Sequence, residues 1–263
     1  MATAGTGSAS ADSGPSSVLG KAFEVLGCFT PAQRRLSLSE IARKSALPKS
    51  TVHRLLAMLL QVGAVERCGT QYRLGVRIFA MGSSSAEAGL QELARPHLER
   101  LRRRAGVTVH LGVLRGGDVV YVDRLRARSA PACPTMPGAR LPAYCTAVGK
   151  AMLAWAEPLP TERPLVRRTT RTAASTAILA ADLEAVRRTG TAVDREEALV
   201  GVACVAVPIL VSARPIAAVS VTFAAAAGSG ESLVVPLRET TAAIQRAVSS
   251  AGGPQPLLDL VAA

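Results

Sequence analysis

LSLSEIARKSALPKSTVHRLLAMLL, residues 36–60, decides how the first part of this 263-residue chain folds. It reads as two short helices joined by a tight turn. Ser37 with Glu40 three residues on fits a capping box, in which each side chain satisfies the other residue's backbone N–H. Leu38, Ile41 and Ala42 then form an apolar stripe at helical spacing. Pro48 suits the first position of the second helix, where its missing N–H costs nothing. Val52, Leu55, Leu56 and Leu59 fall on one buried face. At about 100° per residue, Ser50, Arg54, Ala57 and Gln61 lie opposite them, with Thr51 and His53 on the flanks. This is the layout of a helix-turn-helix, which lays its second helix in the major groove of DNA. Arginine can bond two acceptors on a guanine edge, and Ser or Thr can reach bases or phosphates. An amphipathic surface helix of an ordinary bundle would carry the same two faces.

The residues that follow favour the groove. The runs 64–67 (AVER) and 71–74 (QYRL) read as two short strands around a turn at Cys68-Gly69-Thr70. A hairpin directly after the second helix is the wing of a winged helix-turn-helix. Arg67 and Arg73 sit on or near it, placed for phosphate contact or simply solvated. The candidate DNA contacts are thus Lys49, Ser50, Thr51, His53 and Arg54 on the helix, and Arg67 and Arg73 on the wing. The net charge of +12 favours a polyanionic partner, although an Arg-rich, Ala-rich chain also reflects genome composition, so the total carries little weight.

Outward from this core, residues 1–15 are Ala, Gly, Ser and Thr with almost no apolar bulk and read as a disordered tail; 251–263 is a second tail. The start lacks the charged and apolar regions of a signal peptide. No apolar run approaches the roughly 20 residues of a membrane span. Cys28, Cys68, Cys133, Cys145 and Cys204 are odd in number and widely spaced, with no CxxC pair. That argues for reduced thiols in a cytoplasm.

The expected domains are 16–76, a linking helix over 77–92 weakened by Gly82 and Gly89, and 93–250. A helix is expected over 91–104, its Arg102-Arg103-Arg104 end favoured by the helix dipole. The period then changes. Residues 107–114 and 119–125 alternate around Arg115-Gly116-Gly117-Asp118, a hairpin; 204–211 and 216–223 form a second around Ser212-Ala213-Arg214-Pro215. Helices are expected over 147–156, 182–189 and 232–249. Strand pairs with helices between them make an α+β domain on an antiparallel sheet.

At this point the chain resembles the IclR family of bacterial transcriptional regulators. Six ordered motifs carry the resemblance: LPKSTVHRLL (47–56), YRLG (72–75), VHLGVLRGGDVVYVDR (109–124), TAVGKAMLA (146–154), DREEALVGVACVAVPI (194–209) and AAVSVT (217–222). The resemblance implies an amino-terminal winged helix-turn-helix followed by a GAF-like α/β effector-binding domain with no catalytic role. It also implies a homodimer or dimer of dimers on an operator in double-stranded DNA, and a small organic-acid effector. Matching the motifs puts Ala147, Val148, Asp194, Cys204, Ser220 and Thr222 at the effector site, with Leu141 and Val202 as apolar wall. Ser220 and Thr222 are two apart on a strand and share a face; Val148 and Gly149 could offer backbone N–H groups to an anion. The chain departs from the family at Tyr144, where His is frequent, at Thr191, where an aromatic is frequent, and at Ala147-Val148, where glycines are frequent.

Other chemistry finds little footing. Cys204 also reads as a buried core thiol, Lys150 as a helix-surface charge, and Glu196 or Glu197 as a solvated loop charge beside Asp194. His53, His97 and His110 fall on three separate elements, and no cluster has metal-ligand spacing. No nucleophile, base and orienting group come together, so the expectation is no enzyme, no cofactor, no metal and no membrane partner. The reading is a cytoplasmic DNA-binding regulator, with repression as the default sign. Its rival is a DNA-binding protein whose second domain only oligomerises.

Overall fold

The helix-turn-helix forms where its caps and apolar spacing place it. In this computed structural model residues 17–128, 131–156 and 164–251 are described; the expected tails fall outside them apart from Ala251. Helix α1 (Val18–Gly27) is capped by Ser17. Strand β1 (Leu36–Ser37) leads into α2 (Leu38–Ser45), whose capping box is complete: Ser37 Oγ accepts from the Glu40 N–H, and the Ser37 N–H donates to Glu40 at 2.8 Å. Helix α3 (Lys49–Gln61) takes Pro48 as its N-cap, one position before the place the sequence suggested. Strands β2 (Val65–Cys68) and β3 (Gln71–Leu74) form the hairpin. The short β1 pairs with β3, giving the order β1-β3-β2. Val25, Leu36, Ile41, Val52, Leu55 and Leu56 close a core beneath it.

The chain divides into two compact units between Ser84 and Ser85. The linking helix expected over 77–92 is instead two helices, α4 (Val76–Ser83) and α5 (Ala86–Ala105). Ser85 makes the break, because its hydroxyl accepts from the Ala88 N–H and starts a new helix. Gly106 in the left-handed region ends α5.

The second unit is built on one six-stranded antiparallel sheet. Its strands are β4 (Thr108–Arg115), β5 (Asp118–Leu125), β6 (Arg140–Pro142), β7 (Ala192–Arg195), β8 (Val202–Val211) and β9 (Arg214–Ala224), in the order β6-β5-β4-β9-β8-β7. The β8–β9 turn is Ser212-Ala213, both at positive φ, as a tight two-residue hairpin of this hand requires. Helices α5 and α8 (Val234–Ser250) cover one face through Leu90, Leu98, Leu237 and Ile244. Helices α6 (Ala147–Leu153) and α7 (Thr176–Thr189) cover the other through Val148, Met152, Leu179 and Leu183. Covered on both faces, β8 and β9 read as continuous apolar runs, not as alternating ones.

Candidate functional site

On α3 the two faces separate as the spacing predicts. Val52, Leu55, Leu56 and Leu59 are buried, while Lys49, Ser50, His53, Arg54, Ala57 and Gln61 are exposed and Thr51 is half-buried. On the hairpin Arg67 and Arg73 are exposed. Arg73 is not free: it pairs with Glu66 on the neighbouring strand at 2.7 Å. Glu66 also accepts from the Val76 N–H, so the hairpin is tied to the start of α4. The Arg73 bonds hold the Glu66 carboxyl below its usual range, the larger effect, and the Val76 bond adds to it.

The second candidate site is a cavity between the sheet and α6. All eight residues matched to the effector site line it: Leu141, Ala147, Val148, Asp194, Val202, Cys204, Ser220 and Thr222. The strand register explains the convergence. Asp194 pairs with Cys204 and Cys204 with Thr222 across β7-β8-β9, and Ser220 pairs with His110 on β4. Directly paired residues on antiparallel strands project to the same face. Gly149 lets α6 pack against the backbone of the preceding 143–145 turn: a Cβ there would lie 2.2 Å from the Ala143 carbonyl oxygen. The cavity is small, about 40 Å³, room for roughly three waters.

Its polar groups are buried and mostly engaged. Thr222 Oγ1 contacts Cys204 Sγ at 3.1 Å and His110 Nδ1 at 3.2 Å, and His110 Nε2 contacts Thr135 Oγ1 at 2.7 Å. Ser220 differs: its hydroxyl has no hydrogen-bond partner among the described residues, so it is available to a ligand. The Gly149 N–H, offered to an anion in the sequence reading, is taken by Thr146 Oγ1 at 3.1 Å. Asp194 is held by the Glu197 N–H at 2.7 Å. Burial raises the Asp194 carboxyl to about 7, helped by the Glu197 charge and opposed by that hydrogen bond. Burial, aided by the Arg124 charge, lowers His110 to about 3, so the ring is neutral at pH 7. Burial also raises the thiols of Cys133 and Cys204, which makes neither an activated nucleophile.

Two expectations are corrected beside the cavity. Lys150 is 3% exposed and Glu197 is 7% exposed; neither is a solvated charge. Lys150 Nζ donates to Glu197 at 2.6 and 2.8 Å and reaches Asp182 at 3.4 Å, a buried ion pair joining α6, α7 and the loop after β7. Glu196, half-buried, accepts from the Gly201 N–H and pairs with Arg171. Cavity residues that the sequence reading missed include His110, Tyr121, Cys133, Thr135 and Arg168. His110 had one signal, since it alternates into the face that pairs with Ser220, but only the β4–β9 pairing reveals it. His97, expected on a polar helix face, is half-buried, and its Nδ1 lacks a partner.

Comparison with known proteins covers both units. The IclR helix-turn-helix domain matches residues 18–69, and the bacterial transcriptional regulator IclR C-terminal domain matches residues 83–250. The regulator XynR of Escherichia coli K12 is 33% identical over 72% of this chain and 78% of its own length. BhcR of Paracoccus denitrificans is 35% identical over 75% of this chain and 74% of its own length. The solved structure of an IclR homolog from Microbacterium hydrocarbonoxydans, complexed with 4-hydroxybenzoate, shares 29% identity with a TM-score of 0.81, covering 89% of this chain and 100% of that one. These relatives are regulators and not enzymes, and the chain belongs with them to the IclR family of helix-turn-helix transcriptional regulators.

Proposed function

We propose that this regulator binds a symmetric operator as a homodimer or dimer of dimers, and that a small hydroxy acid in the cavity alters that binding. Repression is the default sign, since a dimer seated on an operator obstructs a promoter it overlaps. On the DNA side, Ser50, Thr51, His53 and Arg54 present the exposed face of α3 to base edges. Lys49, Arg67 and Arg73 reach phosphates. Dimerisation is assigned to the second unit or to the helix that starts at Val76, where Phe79 is more than 70% exposed. The five free thiols fit a cytoplasmic protein.

The observation that carries the effector reading is the cavity: buried polar groups from separate strands meet around one unengaged hydroxyl, Ser220. A carboxylate accepts from Ser220 and from the backbone N–H groups at 147–148, which open α6 and have no intrahelical acceptor. Asp194, its carboxyl raised by burial to about 7, tolerates an anion when protonated and accepts from a ligand hydroxyl when ionised. An acid with a second polar donor therefore fits better than a simple fatty acid. The 4-hydroxybenzoate of the Microbacterium relative has this pattern and is the first ligand to try. The cavity must enlarge to take it, which is how binding would favour one conformation over another. The small size equally suits a second domain that only oligomerises.

Calorimetry with 4-hydroxybenzoate and related hydroxy acids decides between them. Ser220→Ala should weaken binding by about 1.5–3 kcal/mol while leaving the fold intact, because no internal bond is lost. Full affinity in that variant removes Ser220 from the site. Failure of every hydroxy acid to bind the wild type leaves the oligomerising domain.

A further inference from the structure

Three residues of the cavity wall, Cys133, Thr135 and Thr222, are shared with a neighbouring groove of about 230 Å³. Arg124 of β5 and Arg126, just beyond its end, bound this groove, and no acidic side chain lines it among the described residues. Arg124 Nη1 donates to the Cys133 carbonyl at 3.1 Å. Arg126 is exposed and forms no ion pair among the described residues.

The wall between groove and cavity is thinly held. Residues 131–135 belong to no strand. Among the described residues, their side-chain ties to the rest of the fold are the Arg124 bond and the 2.7 Å contact of Thr135 with His110. The opposite rim, at Arg168, is cross-braced. There Thr169 Oγ1 donates to the Glu196 carbonyl at 2.7 Å, Thr172 Oγ1 to the Glu197 carbonyl at 2.8 Å, and Arg168 Nε to the Ala198 carbonyl at 3.4 Å. Lys150 holds the same loop through Glu197. A ligand larger than the cavity must displace one wall, and the wall with fewer bonds yields at lower cost.

We propose that the Arg124–Arg126 groove is the entrance by which small organic anions reach the cavity, and that the Cys133–Thr135 segment is the wall they displace. Two guanidinium groups with no acid beside them raise the local concentration of anions. As Thr135 moves aside, His110 Nε2 loses its partner and becomes available to the incoming molecule. The proposal rests on reading the cavity as an effector site, and it adds the route and the charge selection.

Cys204 lies beyond the wall and reports arrival without a known effector. Two methanethiosulfonate reagents of similar size, one ending in a sulfonate and one in a trimethylammonium, are reacted with the full chain. Labelling of Cys204 is timed by peptide mass spectrometry, each rate normalised to that with free cysteine. At low salt the sulfonate reagent should label Cys204 about 10-fold faster or more. Arg126→Glu, at an exposed position, should bring the ratio to one or invert it, and Arg214→Glu, exposed at the start of β9 and lining neither cavity nor groove, should leave it unchanged. Inversion by Arg168→Glu but not by Arg126→Glu overturns the proposal. Equal normalised rates in the wild type also overturn it. None of these outcomes touches the Ser220 calorimetry, so a failed entrance and a failed effector site are told apart.

Discussion

The exposed face of α3 and the cavity above β7-β8-β9 use similar side chains under opposite conditions. On α3 the candidate contacts lie within residues 49–54, point into solvent and carry almost none of the fold. In the cavity they come from positions as far apart as His110 and Thr222, are buried, and mostly bond one another. One region can therefore change without structural cost, and the other cannot. Substitutions should divide along that line, and the largest effects should fall beside the cavity.

The largest is expected at Lys150. Lys150→Met leaves the Glu197 carboxylate buried without its cation, and breaking such a pair costs about 3–5 kcal/mol. Urea unfolding of the second unit should show that loss, and Lys150→Met with Glu197→Leu should recover most of it. A loss under 1 kcal/mol in the single variant would mean that water reaches the pair, and the contrast between the regions would weaken.

Next comes pH. Asp194 has a folded pKa of about 7, above its unfolded value of 3.8, so its burial costs nothing below pH 3.8. Stability is then lost as pH rises toward 7. His110 runs the other way. Its folded pKa of about 3 lies below the unfolded 6.5, so stability is lost as pH falls from 6.5 toward 3. Asp194→Asn keeps an acceptor for the Glu197 N–H while removing the charge. It should stabilise the protein above pH 7 by on the order of 2–4 kcal/mol, an upper range. Unfolding midpoints across pH check this; a parallel, unshifted profile in the variant would show Asp194 to be well solvated.

Smaller effects belong to α3 and the hairpin. Arg54→Ala should weaken operator binding by about 1–3 kcal/mol and change stability by no more than about 0.5 kcal/mol. Arg73→Ala should act mainly through salt, lowering the slope of log affinity against log salt by about one if Arg73 reaches a phosphate. An unchanged slope would leave Arg73 to Glu66 alone.

The same contrast explains what was legible in the sequence. Capping box, apolar spacing and hairpin in the first unit are local signals, so α2, α3, β2 and β3 were readable within a residue or two. β1 was not, because two residues carry no period. The break at Ser84-Ser85 was missed although Gly82-Ser83-Ser84-Ser85 is a run of helix breakers and N-cap residues. In the second unit each hairpin was readable, but the β4–β9 pairing joins residues more than 100 apart. That pairing brings His110 to Ser220, and nothing local announces it. The motif match supplied the eight cavity positions; it could not show that Lys150 and Glu197 are buried against each other. Charged residues read as solvated until the packing around them is known.

The proposed division of labour has α3 and its hairpin read DNA and the cavity read a small acid. The direct test is to recover the operator by sequencing bound genomic DNA, then titrate it at fixed salt with and without the hydroxy acid that binds in calorimetry. Wild type, Arg54→Ala and Ser220→Ala are compared. Arg54→Ala should lose operator affinity but still bind the acid, and Ser220→Ala should bind operator normally but no longer respond. Loss of the response in Arg54→Ala with acid binding abolished, or a full response in Ser220→Ala, would contradict that division.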